Sequence, residues 1–366
     1  MFALSVRRPR FVSMFAVFAL TVAVMGLAAR PATAATSWTV VASGLDNPRH
    51  LAFGPNGQLY VAEAGRGGPN CVSGGEQGES CVGTSSRVTA VNVASGRTRT
   101  VVDGLFSIAG SDGSFAVGAD GISFSNHGRT SGSGPLYVQM AANTSHIPPG
   151  ADDPLSKAAR AQLGQLLHVS EGGQWNAVAS VGDTDYAWTQ SHSSLDPNNP
   201  EWPDSNPYGI WATPGRVYVA NAASNTLDVV RPNGSISEVA WFPNTHLTDD
   251  LSDSVPTCVV QTSSGILIGD LNGQLWKFTG SFTPEHQTLS GDGLASIEAC
   301  ATDGTNVYVA DMFAGTVARI SPSGEVTIVA DGLNFPGGVA VGPGNTLYVS
   351  NNGTFPGIGE IVKVEL

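Results

Sequence analysis

Gly44-Leu45-Asp46-Asn47-Pro48-Arg49-His50-Leu51-Ala52-Phe53-Gly54-Pro55-Asn56-Gly57-Gln58-Leu59-Tyr60-Val61-Ala62 returns almost letter for letter near the other end of the chain, as Gly332-Leu333-Asn334-Phe335-Pro336-Gly337-Gly338-Val339-Ala340-Val341-Gly342-Pro343-Gly344-Asn345-Thr346-Leu347-Tyr348-Val349-Ser350. Weaker copies lie between them. Asn206 to Ile210 leads to Val217-Tyr218-Val219-Ala220, Val255 to Val259 leads to Leu267-Ile268-Gly269, and Ile297 to Cys300 leads to Val307-Tyr308-Val309-Ala310. Asp120 to Phe124 leads to Leu136-Tyr137-Val138 across a Gly/Ser-rich loop, which brings the copies to six. Each is a short apolar strand, a Gly/Asn/Pro turn and a Tyr-Val strand, followed by two more alternating strands such as Thr316 to Ile320 and Glu325 to Val329. Four strands recurring at about 40 residues are the pattern of a propeller blade. The repeat therefore predicts an all-β chain, a six-bladed β-propeller with four-stranded blades. A sandwich of unrelated hairpins would not repeat one phrase at one phase.

Closure of the ring is also predicted. Trp38 to Leu45 matches Val326 to Leu333, the outer strand of the fifth blade, whereas the last copy, Gly337 to Leu366, has room for three strands. Residues 37 to 45 are expected to complete the last blade beside Glu360 to Val364, leaving the ring without an open edge. The four cysteines of an exported chain are expected to pair. Cys71 and Cys81 share the Gly/Ser-rich loop from Gly65 to Ser86. Cys258 and Cys300 hold one position in consecutive copies, which makes them neighbours around the axis near the limit of about 7 Å for a disulfide; two buried thiols are the alternative.

Arg7, Arg8 and Arg10 precede an apolar stretch from Phe11 to Ala29, and Ala32-Thr33-Ala34 supplies the small residues of a cleavage site. Residues 1–34 read as a signal peptide, by the general or the twin-arginine route, with no membrane span left after cleavage. The protein is thus expected to be secreted, with residues 35–366 forming one propeller domain interrupted by insertions at 145–165 and 182–205. The first insertion carries a short helix, Pro154 to Leu163, begun near Asp152 or Asp153. The second carries Asp183, Asp185, Tyr186, Trp188, His192, Asp196, Glu201 and Trp202. Four Arg fall within residues 1–34, so 13 basic groups face 30 acidic ones afterwards, a formal charge of −17. Such a surface repels nucleic acid and anionic lipid, and a monomer is expected.

In a propeller the loop leading into each innermost strand and the loop leaving each second strand open on one face. The lead-in loops offer Arg49, His50, Asp120, Tyr208 and Glu298; the positions after the second strands hold Glu63, Met140, Asn221, Asp270, Asp311 and Asn351. A polar funnel for a cation or hydroxyl-rich ligand is one reading, since hard oxygen donors suit Ca²⁺. The other is that a carboxylate or amide repeated in every blade bonds the backbone of its own turn. Lead-in residues differ between blades and are the better ligand candidates. Tyr186, Trp188, Trp202, Tyr208 and Trp211 offer rings for stacking or for packing the insertion. The nucleophile elbow, the zinc-protease motif and the phosphate loop are absent from the sequence, and His127, His146 and His192 are scattered.

On Asn47 to Tyr60, the Cys71 and Cys81 loop, Asp204-Ser205-Asn206-Pro207-Tyr208-Gly209 and Phe335 to Tyr348, the chain resembles the bacterial ScyD/ScyE family, exported proteins many of which have no assigned activity. The likeness implies an NHL-like six-bladed propeller. More distantly the Tyr-Val-Ala-Asp rhythm is similar to calcium-dependent gluconolactonase-type propellers, whose metal is held by Glu, Asn and Asp. That likeness implies Glu298, Asn221 and Asp270 or Asp311 as ligands, with His50 as an acid or base. Arg49 and His50 stand where those enzymes carry an early Glu. Two functions follow as expectations: a binding or accessory protein for a small molecule, glycan or protein on the funnel face, and a Ca²⁺-dependent hydrolase or lyase. Neither the ligand nor a cofactor is named by the sequence.

Overall fold

Six antiparallel sheets stand as blades around one axis in a computed structural model of the chain, which describes residues 37–75, 78–127, 132–146, 157–158, 160–197, 199, 201–244 and 253–366. The signal segment lies outside these residues, as do residues 154–156 and 159 of the expected helix from Pro154 to Leu163; of the rest, Lys157, Ala158 and Arg160 are helical and Ala161, Gln162 and Leu163 form a turn. From axis to rim, blade 3 is Pro207–Thr213, Arg216–Asn221, Thr226–Val230 and Ile236–Trp241, joined in sequence order. The innermost strands of the other blades are Pro48–Phe53, Ala119–His127, Pro256–Thr262, Ala299–Thr302 and Gly338–Gly342. The fold is therefore the all-β six-bladed propeller expected from the repeat.

The Tyr-Val strands read as unbroken apolar runs because both faces of a middle strand are covered. In blade 3, Leu227 and Val229 pack with Val259, Ile268 and Trp276 of blade 4, while Val217, Val219 and Val230 pack with Leu166 and Ala179 of blade 2. The core thus lies between blades, and each fully buried Val or Leu contributes about 1.5–3 kcal/mol. Close approach of innermost strands explains particular glycines. A Cβ at Gly121 would sit 2.3 Å from the Tyr208 carbonyl oxygen, and one at Gly338 would sit 2.2 Å from that of Arg49.

Blade 6 is closed by the N-terminal strand Trp38–Leu45, which runs antiparallel to Gly359–Glu365 with Trp38 opposite Val364 and Leu45 opposite Gly359. The Trp38 indole also donates to the Asp331 carbonyl oxygen at 3.0 Å. Both disulfides form: Cys71–Cys81 with Cα atoms 3.9 Å apart and Cys258–Cys300 at 5.7 Å. The first pins a hairpin by which blade 1 is extended, Asn70–Gly75 pairing with Gly78–Asn92. The second joins the innermost strands of blades 4 and 5. In the second insertion, α1 (Val181–Ser191) follows the outer strand of blade 2, and Trp188 stacks on His192 at 4.3 Å with Trp202 edge-on at 6.3 Å. Among the described residues no helix is long and apolar enough to cross a membrane.

Candidate functional site

Four innermost strands begin with an irregularity in pairing. Between Pro48 and Leu51, Ala119 and Gly121, Pro207 and Gly209, and Pro256 and Cys258 the register shifts, so Arg49, His50, Asp120, Tyr208 and Thr257 fall where the ladder skips. A bulge re-aims the side chain it carries, and here it sends residues of different blades to one place. The Arg49 guanidinium donates to the Ala116 carbonyl oxygen through Nη2 at 2.8 Å and lies 3.6 Å from Asp120 and 3.8 Å from Glu298. The Tyr208 hydroxyl donates to the Glu298 carboxylate, and His50 packs edge-on against the Tyr208 ring at 5.3 Å with its Nε2 3.2 Å from the Glu298 carbonyl oxygen. All five side chains are buried.

Burial dominates the electrostatics of this group. It pushes Asp120 up to about 7 against the pull of Arg49, and it holds Glu298 above the ordinary carboxylate value against Arg49 and the Tyr208 hydroxyl. His50 is pushed down to about 4, chiefly by burial and further by Arg49, so its ring is neutral at pH 7. For Arg49 burial works against the charge, and Tyr208, Asp120 and Glu298 together outweigh it and hold the guanidinium protonated. Arg49 Nε and Asp120 Oδ1 lack a hydrogen-bond partner, because 3.6 Å is beyond hydrogen-bond reach. The lead-in candidates are therefore brought together, yet as one buried knot across the axis and not as the lining of an open funnel. Desolvation drives this: apolar innermost strands leave a charge at the axis no water to face, only another charge.

Residues at the ends of the second strands take separate places. Glu63 accepts the Asp46 N–H at 2.7 Å, two N–H groups of Arg87 at 2.8 and 2.7 Å, and the Thr89 hydroxyl. Asn221 accepts the Asn206 N–H at 2.8 Å, Asp311 the Ala295 and Ser296 N–H groups at 2.8 and 3.0 Å, and Asn351 the Asn334 N–H at 2.7 Å. Asp270 accepts the Asn272 and Gln274 N–H groups and the Trp276 indole at 2.8 Å, and burial still raises it to about 7. Each closes a loop of its own blade, and Met140 occupies the equivalent place in blade 2. Among the described residues the His, Cys, Asp and Glu ligand atoms that gather in threes within 4.8 Å belong to Cys71, Glu79 and Cys81, whose sulfurs are joined in the disulfide. Asp270, Glu298 and Asp311 do not form such a set.

Below the knot the axis widens into a cavity of about 550 Å³. Its wall runs from His50 along the far halves of the innermost strands to the turns at Thr213-Pro214 and Thr302-Asp303-Gly304, so it opens on the face opposite the lead-in loops. Phe53 and Trp211 supply rings, Ser125, Thr213 and Gln261 supply hydroxyl and amide groups, and the Cys258–Cys300 bridge forms part of the wall. The sequence reading did not single out this wall, apart from His50, Trp211 and the cysteines; alternation along each innermost strand was the signal for it. Of the aromatic set around the second insertion, Tyr208 joins the knot and Trp211 the cavity, while Trp188 and Trp202 pack together on the insertion.

The fold recurs in solved structures. A protein of unknown function from Bacteroides thetaiotaomicron shares it at 12% identity over 90% of this chain and 72% of that chain, with a TM-score of 0.55. A putative gluconolactonase does so at 12% identity over 91% and 93% (TM-score 0.52), and an auxiliary nutrient binding protein from Bacteroides thetaiotaomicron at 11% over 90% and 74% (TM-score 0.51). No protein-family model and no curated protein matches the sequence. Fold and site together define a six-bladed β-propeller with a closed, charged end and an open central cavity. Likeness at these identities speaks to the fold, and chemistry has to be argued from the site.

Proposed function

We propose that this chain is an exported binding protein, akin to the ScyD/ScyE proteins it resembles, that takes a small neutral molecule in the central cavity. The observation that carries this reading is the cavity itself, whose volume of about 550 Å³ falls in the range of ligand sites. Its wall favours binding over turnover. His50 is neutral and pressed against the Glu298 carbonyl oxygen, the two cysteines are bridged, and Asp303 is committed to its own turn, accepting N–H groups of Thr305 and Asn306 at 2.8 Å each. Among the described residues no other titratable side chain lines it, so general acid–base catalysis by those residues lacks a partner there. Rings beside hydroxyl and amide groups suit a molecule with one apolar and one hydroxyl-bearing face, the class that includes sugars. The metal-assisted hydrolase draws on Asn221, Asp270, Glu298 and Asp311, and each of these is engaged elsewhere.

Titration calorimetry with a panel of mono- and disaccharides tests the proposal. Saturable binding that is lost in Gln261→Phe, which narrows the mouth, supports it. Binding that survives Gln261→Phe but is lost in Trp202→Ala places the ligand on the insertion and overturns it, as does a panel without saturable heat.

A further inference from the structure

A second buried polar group lies away from both the knot and the cavity, where α1 meets blade 3. Asp185 of α1 and Asp228 of the third strand are both 0% exposed. Asp185 Oδ2 is partnered, receiving the Asn221 amide at 2.5 Å and the Thr226 hydroxyl at 3.3 Å, and Thr226 in turn meets the Ser224 hydroxyl at 2.7 Å. Asp185 Oδ1 and both carboxylate oxygens of Asp228 have no partner at full hydrogen-bond geometry, and the Thr226 hydroxyl is the donor nearest to Asp228, pulling against the rise that burial imposes. The two carboxyl groups lie within hydrogen-bond reach of one another. Directly opposite Asp228 on the outer strand stands Glu238, and like charges at opposed positions of a sheet repel. Among the described residues no Arg, Lys or His is one of the leading groups acting on either aspartate.

Two carboxylates at such a distance cannot both stay charged and dry without a positive partner. A single shared proton bridges one oxygen of each and leaves the other Asp228 oxygen with the Thr226 hydroxyl alone, beside the charge of Glu238. A cation engages all three orphaned oxygens and balances two charges. We propose that Asp185 and Asp228 hold a divalent, oxygen-preferring cation that clamps α1 to blade 3, with the Thr226 hydroxyl as a neighbouring donor. Calcium fits better than magnesium, because it accepts an irregular shell of oxygen donors whereas Mg²⁺ demands a near-ideal octahedron. Glu238, half-buried, marks the side from which the ion reaches the site. The site is separate from the residues Asp270, Glu298 and Asp311 considered above.

The test uses the chain without its signal segment, stripped with chelator and then titrated with Ca²⁺, Mg²⁺ and Tb³⁺ by calorimetry, Tb³⁺ luminescence and thermal melting. One Ca²⁺ per chain is expected, with a rise in Tm of roughly 5 °C at a hundredfold excess over Kd, and Mg²⁺ binding at least tenfold weaker. Asp228→Asn should lose both the binding and the shift, and Asp112→Asn, an exposed acid, should keep both. If Asp228→Asn does not fold, Thr226→Val serves in its place, with weaker Ca²⁺ and Tb³⁺ binding expected. Absence of heat, luminescence and shift in the stripped protein overturns the proposal. So does an Asp228→Asn protein that melts higher than wild type, which is the mark of a shared proton. Binding that persists in Asp228→Asn but is lost in Asp270→Asn also overturns it, since the ion would then sit at the second-strand ends. Failure of sugar binding in the cavity leaves each of these readouts unaffected.

Discussion

If the N-terminal strand closes the ring, its inward residues carry stability and its outward residues do not. Leu45 is 3% exposed and packs among Leu51, Leu59, Val61 and Ile361, residues from both ends of the chain, whereas Val40 on the same strand is 50% exposed. Truncating a buried Leu to Ala costs about 2–5 kcal/mol, the lost transfer energy plus the cavity left behind; the tight packing around Leu45 places it near the middle, about 3 kcal/mol. For a chain of this size that is a drop in Tm of roughly 5 °C and about 1 M in the urea midpoint. Val40→Ala should stay within about 0.5 kcal/mol. Urea unfolding followed by both tryptophan fluorescence and far-UV circular dichroism measures the difference, and a chain begun at Asp46 should lose the cooperative transition altogether. Equal midpoints for Leu45→Ala and Val40→Ala, or a truncated chain that melts as the full one does, would refute the closure argument.

Arg49→Met should destabilise by about 3–5 kcal/mol, because it leaves Asp120 and Glu298 buried without their cation; a urea midpoint within error of wild type would mean the knot contributes nothing. Replacing Cys258 and Cys300 together by Ala should cost about 2–4 kcal/mol through the freed loop, and an unchanged melting curve under non-reducing conditions would show the bridge to be dispensable. The pH dependence has a definite sign. Folded Asp120 titrates near 7 against an ordinary 3.8, so between those values the native state binds more protons than the unfolded chain, and stability falls as pH rises through the window and stays low above it. His50, lowered to about 4 from 6.5, acts oppositely: its contribution is present above 6.5 and lost as pH falls toward 4. From pH 6 to 8 the carboxyl effect prevails, so the urea midpoint should fall, and Asp120→Asn should narrow the difference; a midpoint that rises over that interval contradicts the assignment.

What could be read in advance was whatever depends on repetition. Six copies of a strand-turn-strand phrase announced six blades because the phrase encodes a local unit that buries its faces only against neighbours, and phase alone placed Trp38–Leu45 beside Gly359–Glu365. The same phase made Cys258 and Cys300 neighbours. The helix α1 was not read, since Val181 to Ser191 carries no strong apolar stripe and its form depends on what it covers.

The tertiary structure decided where the axis is closed and where it is open. Arg49, Asp120 and Tyr208 are far apart in the chain and meet because bulges in separate blades aim at one point, where Glu298 joins them from the lead-in of blade 5, and a bulge leaves no trace in composition. It likewise decided that Glu63, Asn221, Asp311 and Asn351 close loops of their own blades, and that the cavity opens opposite the lead-in loops. Asp185 and Asp228 belong to an insertion and to a blade, and their encounter follows from how the helix docks. The sequence by itself determines the blades, because periodic burial is a local property; the charges at the axis and beneath α1 are matched by packing, because a buried charge must find its partner in space and not along the chain.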